Sequence, residues 1–176
     1  GYNGSERLAA GQRFEFFPAV SAGWVASSEK FWEPISKYIN HFKIRGSYGL
    51  VGSDAFASGA PHFLYQNNIG IGSAHKFWTG LPTSEISKQG PGFYVLAVQD
   101  AGWEHVKKFD IGFDMMLFNQ LNITFDYFHD KRERILMSRA SWPSMLGYWG
   151  SKPWSNIGEV ENQGFELSLN WTKQFG

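Results

Sequence analysis

Glu159 and Glu161 are the first residues in this chain whose spacing invites chemistry. Two residues apart on a strand, they share a face about 7 Å apart, close to the carboxylate separations used in glycoside cleavage. Such a pair must flank the scissile bond from opposite sides, which one strand face cannot do, so that chemistry is excluded. His41, His62, His75, His105 and His129 show no spacing typical of a metal pair on a helix. The chain has no cysteine, which removes disulfides, thiolate ligands and a thiol nucleophile. Neither a Gly-rich phosphate loop nor a nucleophile elbow occurs. No catalytic residue, metal site or cofactor is expected.

The remaining candidates bind rather than react. Aromatic residues make up 18% of the chain, and several fall between the strand-like segments. Phe77-Trp78 sits in one long connection, and Trp142, Tyr148, Trp149 and Trp154 sit in another. Flat rings in such places can stack on sugar rings or peptide side chains, burying apolar area while nearby polar groups fix orientation. Lys43, Arg45, Asp110 and Asp114, together with Glu104 and Lys108, form a second set placed to pair across neighbouring strands. Sixteen charges of each sign cancel, so no basic footprint points to nucleic acid.

The elements that hold these residues are strands. The expected segments are about Phe14 to Ser27, Phe42 to Val51, Trp103 to Phe118, Leu121 to Arg134 and Glu159 to Trp171. Leu121, Ile123, Phe125 and Tyr127 alternate with Asn122, Thr124 and Asp126, the period of a strand with two unlike faces. The first segment is the weakest, because Pro18 cannot donate to a ladder. A short helix is expected from Glu29 to Ile39, limited by Pro34. A tight turn at Asn119-Gln120 and the helical link are the short connections. The stretch after Val51 and the one before Glu159 are long.

Three segments then change polarity on one face. Phe109 to Leu117 continues upward as Lys107 and His105, Leu121 to Tyr127 as His129, Lys131 and Glu133, and Phe165 to Trp171 as Gln163, Glu161 and Glu159. A bilayer explains this: it demands about 9–11 residues of apolar strand and charges a lipid-facing ion ~2–4 kcal/mol at its midplane but little at its edge. Asp110, Asp114, Asn122, Thr124, Asp126, Glu166, Ser168 and Asn170 on the other face suit a wet or polar-plugged lumen. Trp24, Trp103, Tyr127 and Trp171 are expected near the band edges, where amphipathic rings settle. A one-sided sheet in a soluble protein is the competing reading, and with it a soluble, aromatic-rich carbohydrate-binding β-domain.

Several stretches carry a family resemblance. Phe16-Phe-Pro-Ala-Val-Ser-Ala-Gly-Trp24, Phe42-Lys-Ile-Arg-Gly-Ser-Tyr-Gly49, Phe109-Asp-Ile-Gly-Phe-Asp114 and Gly158-Glu-Val-Glu-Asn-Gln-Gly-Phe-Glu-Leu-Ser-Leu169 follow one another in order. They resemble consecutive strands of SusC/RagA-type TonB-dependent transporters. Val106-Lys-Lys stands where that family often has Thr-Thr. The resemblance implies an all-β fold: an antiparallel transmembrane β-barrel segment, about five strands of a barrel of about 22. Long extracellular loops and short periplasmic turns come with it, and residues 1–176 would be part of one outer-membrane β-barrel domain. It implies a piece of a longer protein whose plug domain, TonB box and terminal strands lie elsewhere. It implies import of glycans or peptides across the cell outer membrane, with a SusD-like lipoprotein, the TonB complex, the lipid bilayer and an oligosaccharide or peptide substrate as partners. Under it, Trp78, Trp142, Tyr148, Trp149 and Trp154 would line the mouth, and Lys43, Arg45, Asp110 and Asp114 the lumen.

Overall fold

In a computed structural model of the chain, the described residues are 1–56, 58–80, 86–139, 141, 143, 145 and 152–172, with only the backbone described over 71–77. They form β1 (Tyr2–Gly4), β2 (Phe14–Phe16), β3 (Ala19–Val25), β4 (Ile39–Ser53), β5 (Asn68–Thr79), β6 (Ile86–Val95), β7 (Glu104–Leu117), β8 (Leu121–Ser138) and β9 (Trp154–Trp171). The wall is an antiparallel sheet in the order β3-β4-β7-β8-β9. β1 pairs with β2, and β5 with β6, as separate ribbons.

The alternating segments become the wall strands, with four differences from expectation. The first expected strand breaks at Phe17-Pro18 into β2 and β3. Pro18 offers no donor, but its carbonyl still accepts from Leu50 N at 2.8 Å. The expected helix from Glu29 to Ile39 is instead two 3-10 turns, Ala26–Ser28 and Lys30–Trp32, followed by irregular turns. The long stretch after β4 contains the β5–β6 ribbon, which the Gly90-Pro91-Gly92 run conceals in the sequence. β8 and β9 also reach further than expected, so only residues 139–153 join them.

β7 and β8 are joined at Phe118-Asn119-Gln120, where Gln120 N donates to Leu117 O at 2.9 Å. Phe118 and Asn119 both have positive φ, 55° and 54°, the twist that suits a tight hairpin. Phe118 tolerates this uncommon conformation with its ring edge-on to Tyr38 at 6.2 Å.

Buried apolar residues gather at the opposite end. Leu8, Phe17 and Trp103 form one cluster, and Leu64, Ala101 and Leu136 another. Trp103 is therefore a packed residue and not an exposed ring at the band edge. It is 5% exposed, and its indole N–H donates to Arg13 O at 3.2 Å. Below these clusters one face of the wall lies open, with Phe165, Leu167, Leu169 and Trp171 between 59% and 74% exposed. A contiguous apolar face of this kind demands a nonaqueous neighbour.

Candidate functional site

The wall has two faces of opposite character, and the register aligns each across the strands. On the apolar face, Trp24, Ile44, Phe113, Phe125 and Leu167 stand on one rung, and Ala22, Gly46, Ile111, Tyr127 and Phe165 on the next. The rung above holds Val20, Tyr48, Phe109, His129 and Gln163, and the one above that Leu50, Lys107, Lys131 and Glu161. The last apolar residue is thus Phe165 on β9, Tyr127 on β8, Phe109 on β7 and Leu50 on β4. The boundary climbs two rungs from β9 to β4, so it runs diagonally across the hydrogen-bonded rows.

That diagonal is what a tilted wall requires. Strands ~4.8 Å apart and tilted by ~40° shift a membrane-parallel line by ~4 Å per strand, a little over one residue. Three steps give roughly four residues, the offset between Leu50 and Gly46, which shares Phe165's rung. Trp24 and Trp171, the aromatic ends of the outermost strands, are displaced in the same sense by two rungs.

Above the boundary the charged residues form a continuous belt. Lys107 Nζ lies 2.6 Å from Glu133 Oε2, Lys131 Nζ bridges Glu133 at 3.0 Å and Glu159 at 2.6 Å, and His129 Nε2 meets Glu161 Oε1 at 2.7 Å. No register shift occurs at Gly164; the shifts lie at Arg132/Ile135 and Ile135/Leu136. Glu161 therefore keeps the facing read from sequence. The Lys107 ammonium, with Lys131 beside it, holds the Glu133 carboxyl below the usual carboxylate range. Hydrogen bonds to Glu159 and then Glu133 raise Lys131 above the usual lysine value. Both groups lie beyond the apolar band. The acidic pair that resembled an acid/base couple is occupied in cross-strand pairing.

The polar face carries the predicted charges together. Arg45 Nη2 lies 2.7 Å from Asp126 Oδ2, and Arg45 Nε 3.4 Å from Asp114 Oδ2. Thr124 donates its hydroxyl to Asp114 Oδ1 at 3.1 Å. Lys43 is opposite Asp114 in the register, and Asp110 lies opposite Ser47. Neither Lys43 nor Asp110 forms an ion pair among the described residues. Lys108 and Asp130 approach to 3.7 Å. Glu104 is only 4% exposed and accepts from Leu136 N at 3.4 Å. Asp126, the closest partner of Arg45, lies on the same rung two strands away, across Gly112, and strand alternation alone does not single it out.

Of the predicted loop aromatics, Trp142, Tyr148 and Trp149 lie outside the described residues. Trp78 stands near the end of β5 and is 64% exposed. Trp154 begins β9 instead of lying in a loop, and packs against the cluster of Leu64, Ala101 and Leu136. Around it the structure adds residues not singled out from sequence: Tyr94 and Lys152 on one side, Arg139 and Asp100 on the other, lining two cavities of about 310 and 240 Å³. No signal in the linear sequence joins them, because they come from three separate segments. The positions are held by a staple. Asn156 accepts from Gly102 N at 3.0 Å and donates to Gly102 O at 3.1 Å and Arg134 O at 2.7 Å.

Comparisons with known proteins agree with this architecture. The family model described as TonB dependent receptor-like, beta-barrel, matches residues 2–176. TonB-dependent receptor P3 of Formosa agariphila is 30% identical over 169 residues, covering 96% of this chain and 15% of that protein. TonB-dependent receptor P39 of the same organism is 29% identical over 168 residues, covering 95% and 14%. The chain thus spans about 15% of the length of the curated relatives it matches. The RagAB peptide importer in the closed-closed state superposes with a TM-score of 0.75 at 19% identity, covering 99% of this chain and 17% of that one. Its open-open state gives 0.69 at 19% identity, covering 93% and 16%. At those identities the likeness is one of fold.

Proposed function

The chain belongs to the TonB-dependent receptor-like β-barrel family, and from that premise we propose that it forms wall and mouth of an outer-membrane importer of glycans or peptides. Its apolar face meets lipid, and its polar face, with Lys43, Arg45, Asp110 and Asp114, lines the lumen. The ends of β8 and β9 at Ser138 and Trp154 stand at the extracellular mouth, and the turn at Phe118 faces the periplasm. A SusD-like surface lipoprotein works with it, and the TonB complex engages regions of the full protein beyond these residues, including a plug domain. Transport here is binding at the mouth followed by plug rearrangement, without covalent chemistry.

The polarity boundary that crosses β9, β8, β7 and β4 on a membrane-compatible slope carries this reading. A soluble sandwich has no reason to slope its charges by about one residue per strand.

The experiment uses the full-length protein in its own bacterium. It is expected in the outer-membrane fraction, with an electrophoretic mobility that changes on boiling, as a closed barrel's does. Deleting its gene is expected to slow growth on one glycan or peptide nutrient. A soluble, heat-indifferent protein removes the reading.

A further inference from the structure

Two cavities adjoin at the upper end of β8 and β9, and Trp154 lines both. Their other walls follow one another along the same segments. Tyr94, Ser138 and Lys152 line the first, while Gln99, Asp100 and Arg139 line the second. Trp154 is the residue the two compartments share, and it packs on the cluster of Leu64, Ala101 and Leu136. Each compartment holds one cation. Among the described residues Lys152 forms no ion pair, and the Arg139 guanidinium makes one side-chain hydrogen bond, to the Ser155 hydroxyl at 3.4 Å. Gln99 is held by its bond to Tyr65 O at 3.0 Å.

We propose that these compartments take two acidic side chains, at positions i and i+2, of an extended peptide. This deepens the importer reading and rests on it. Side chains i and i+2 of an extended chain lie ~6.8 Å apart on one face. That spacing lets the two side chains enter the two compartments on either side of the Trp154 position. The cations select carboxylates: each attracts an acidic side chain and repels a basic one. Asp100, the one carboxylate among the described residues lining either cavity, is placed to accept a backbone N–H, which a peptide supplies along its length.

The test measures binding to the purified full-length protein in detergent by calorimetry. The probe is a blocked pentapeptide alternating glutamate and alanine, compared with the same peptide carrying lysine for glutamate and with an oligogalacturonate. The glutamate peptide is expected to bind and the lysine peptide to fail. Lys152→Glu and Arg139→Glu, both exposed positions, are each expected to weaken glutamate-peptide binding roughly tenfold or more while the boiling-dependent mobility stays unchanged. Trp154→Leu keeps an apolar side chain against the cluster and is expected to lose the preference for the alternating peptide over a blocked pentapeptide whose glutamates are adjacent. Equal binding of the two peptides, unchanged affinity in both charge reversals, or binding of the oligogalacturonate instead overturns the site. A protein without the barrel's mobility change removes the importer reading, whereas an intact barrel that ignores the glutamate peptide removes only this inference.

Discussion

Arg45 reaches across Gly112 to Asp126. The three residues share one rung of β4, β7 and β8, and the guanidinium spans the middle strand to place Nη2 2.7 Å from Oδ2. A Cβ on Gly112 would collide with Asp126 Oδ1 and lie 2.5 Å from Phe125 O. The missing side chain is the passage through which the pair forms.

Gly112→Ala is therefore expected to displace Asp126 and part the pair, destabilising the barrel by ~1–3 kcal/mol through overpacking. Arg45→Met is expected to cost less, about 1 kcal/mol. The pair is partly exposed and water screens the carboxylates left behind, as at other exposed pairs. Urea unfolding of the full-length barrel in detergent, followed by boiling-dependent mobility, measures both. A Gly112→Ala barrel as stable as the parent contradicts the packing described.

The sloping boundary predicts position-dependent costs on one strand. Leu167→Arg, on the rung of Phe125, is expected to destabilise by ~2–4 kcal/mol, and Gln163→Arg, two rungs higher, by ~0–1 kcal/mol. Folding titrations into lipid vesicles compare them. Equal costs would place Leu167 outside the hydrocarbon.

The belt above the boundary predicts a one-sided pH response. Glu133 is held below the usual carboxylate range, chiefly by Lys107. Its contribution is present above the ordinary carboxylate pKa and is lost as pH falls through the lowered value. Lys131 is raised, so its contribution is complete below the ordinary lysine pKa and vanishes only as pH rises through the raised one. The belt is accordingly intact at neutral pH and fails first in acid. Glu133→Gln is expected to flatten the acid limb of the Tm–pH curve, and Lys107→Met to move that limb to higher pH.

The hairpin at Phe118 and Asn119 predicts a residue-specific tolerance. Both have positive φ, so Asn119→Gly is expected to be neutral or mildly stabilising. Asn119→Val, with a β-branched side chain in the left-handed region, is expected to cost ~1–2 kcal/mol. Asn119 N also accepts the constraint of donating to Asn40 Oδ1 at 2.6 Å, which ties the two turns at this end together. The same unfolding assay reads the difference.

The wall was legible in the sequence because lipid on one side and polar groups on the other impose a period of two. Leu121, Ile123, Phe125 and Tyr127 show it without interruption, and Glu161 was placed above the boundary by the same alternation. The mouth was not legible. Trp154 looks like a loop residue until Ser138, its partner across β8 and β9, is known to be in a strand. The irregular register between Arg132 and Leu136, with Arg134 at a φ of 60°, hides that continuation. Phe17 interrupts its strand's alternation because it packs with Trp103, its ring 5.4 Å away, across 86 positions of sequence. The pairing of Arg45 with Asp126 depends on a residue having no side chain, which no charge pattern records.

A strand that slips by two residues keeps every side chain on its proper face, so a sheet in water resists that error only weakly. In this wall the same slip moves a strand by ~7 Å along its length. It would carry Lys107 or Lys131 down into hydrocarbon, or lift Phe109 or Tyr127 out of it. The ammonium above the band on β7 and on β8 thus acts as a stop, and the bilayer checks the register that hydrogen bonds alone would leave ambiguous.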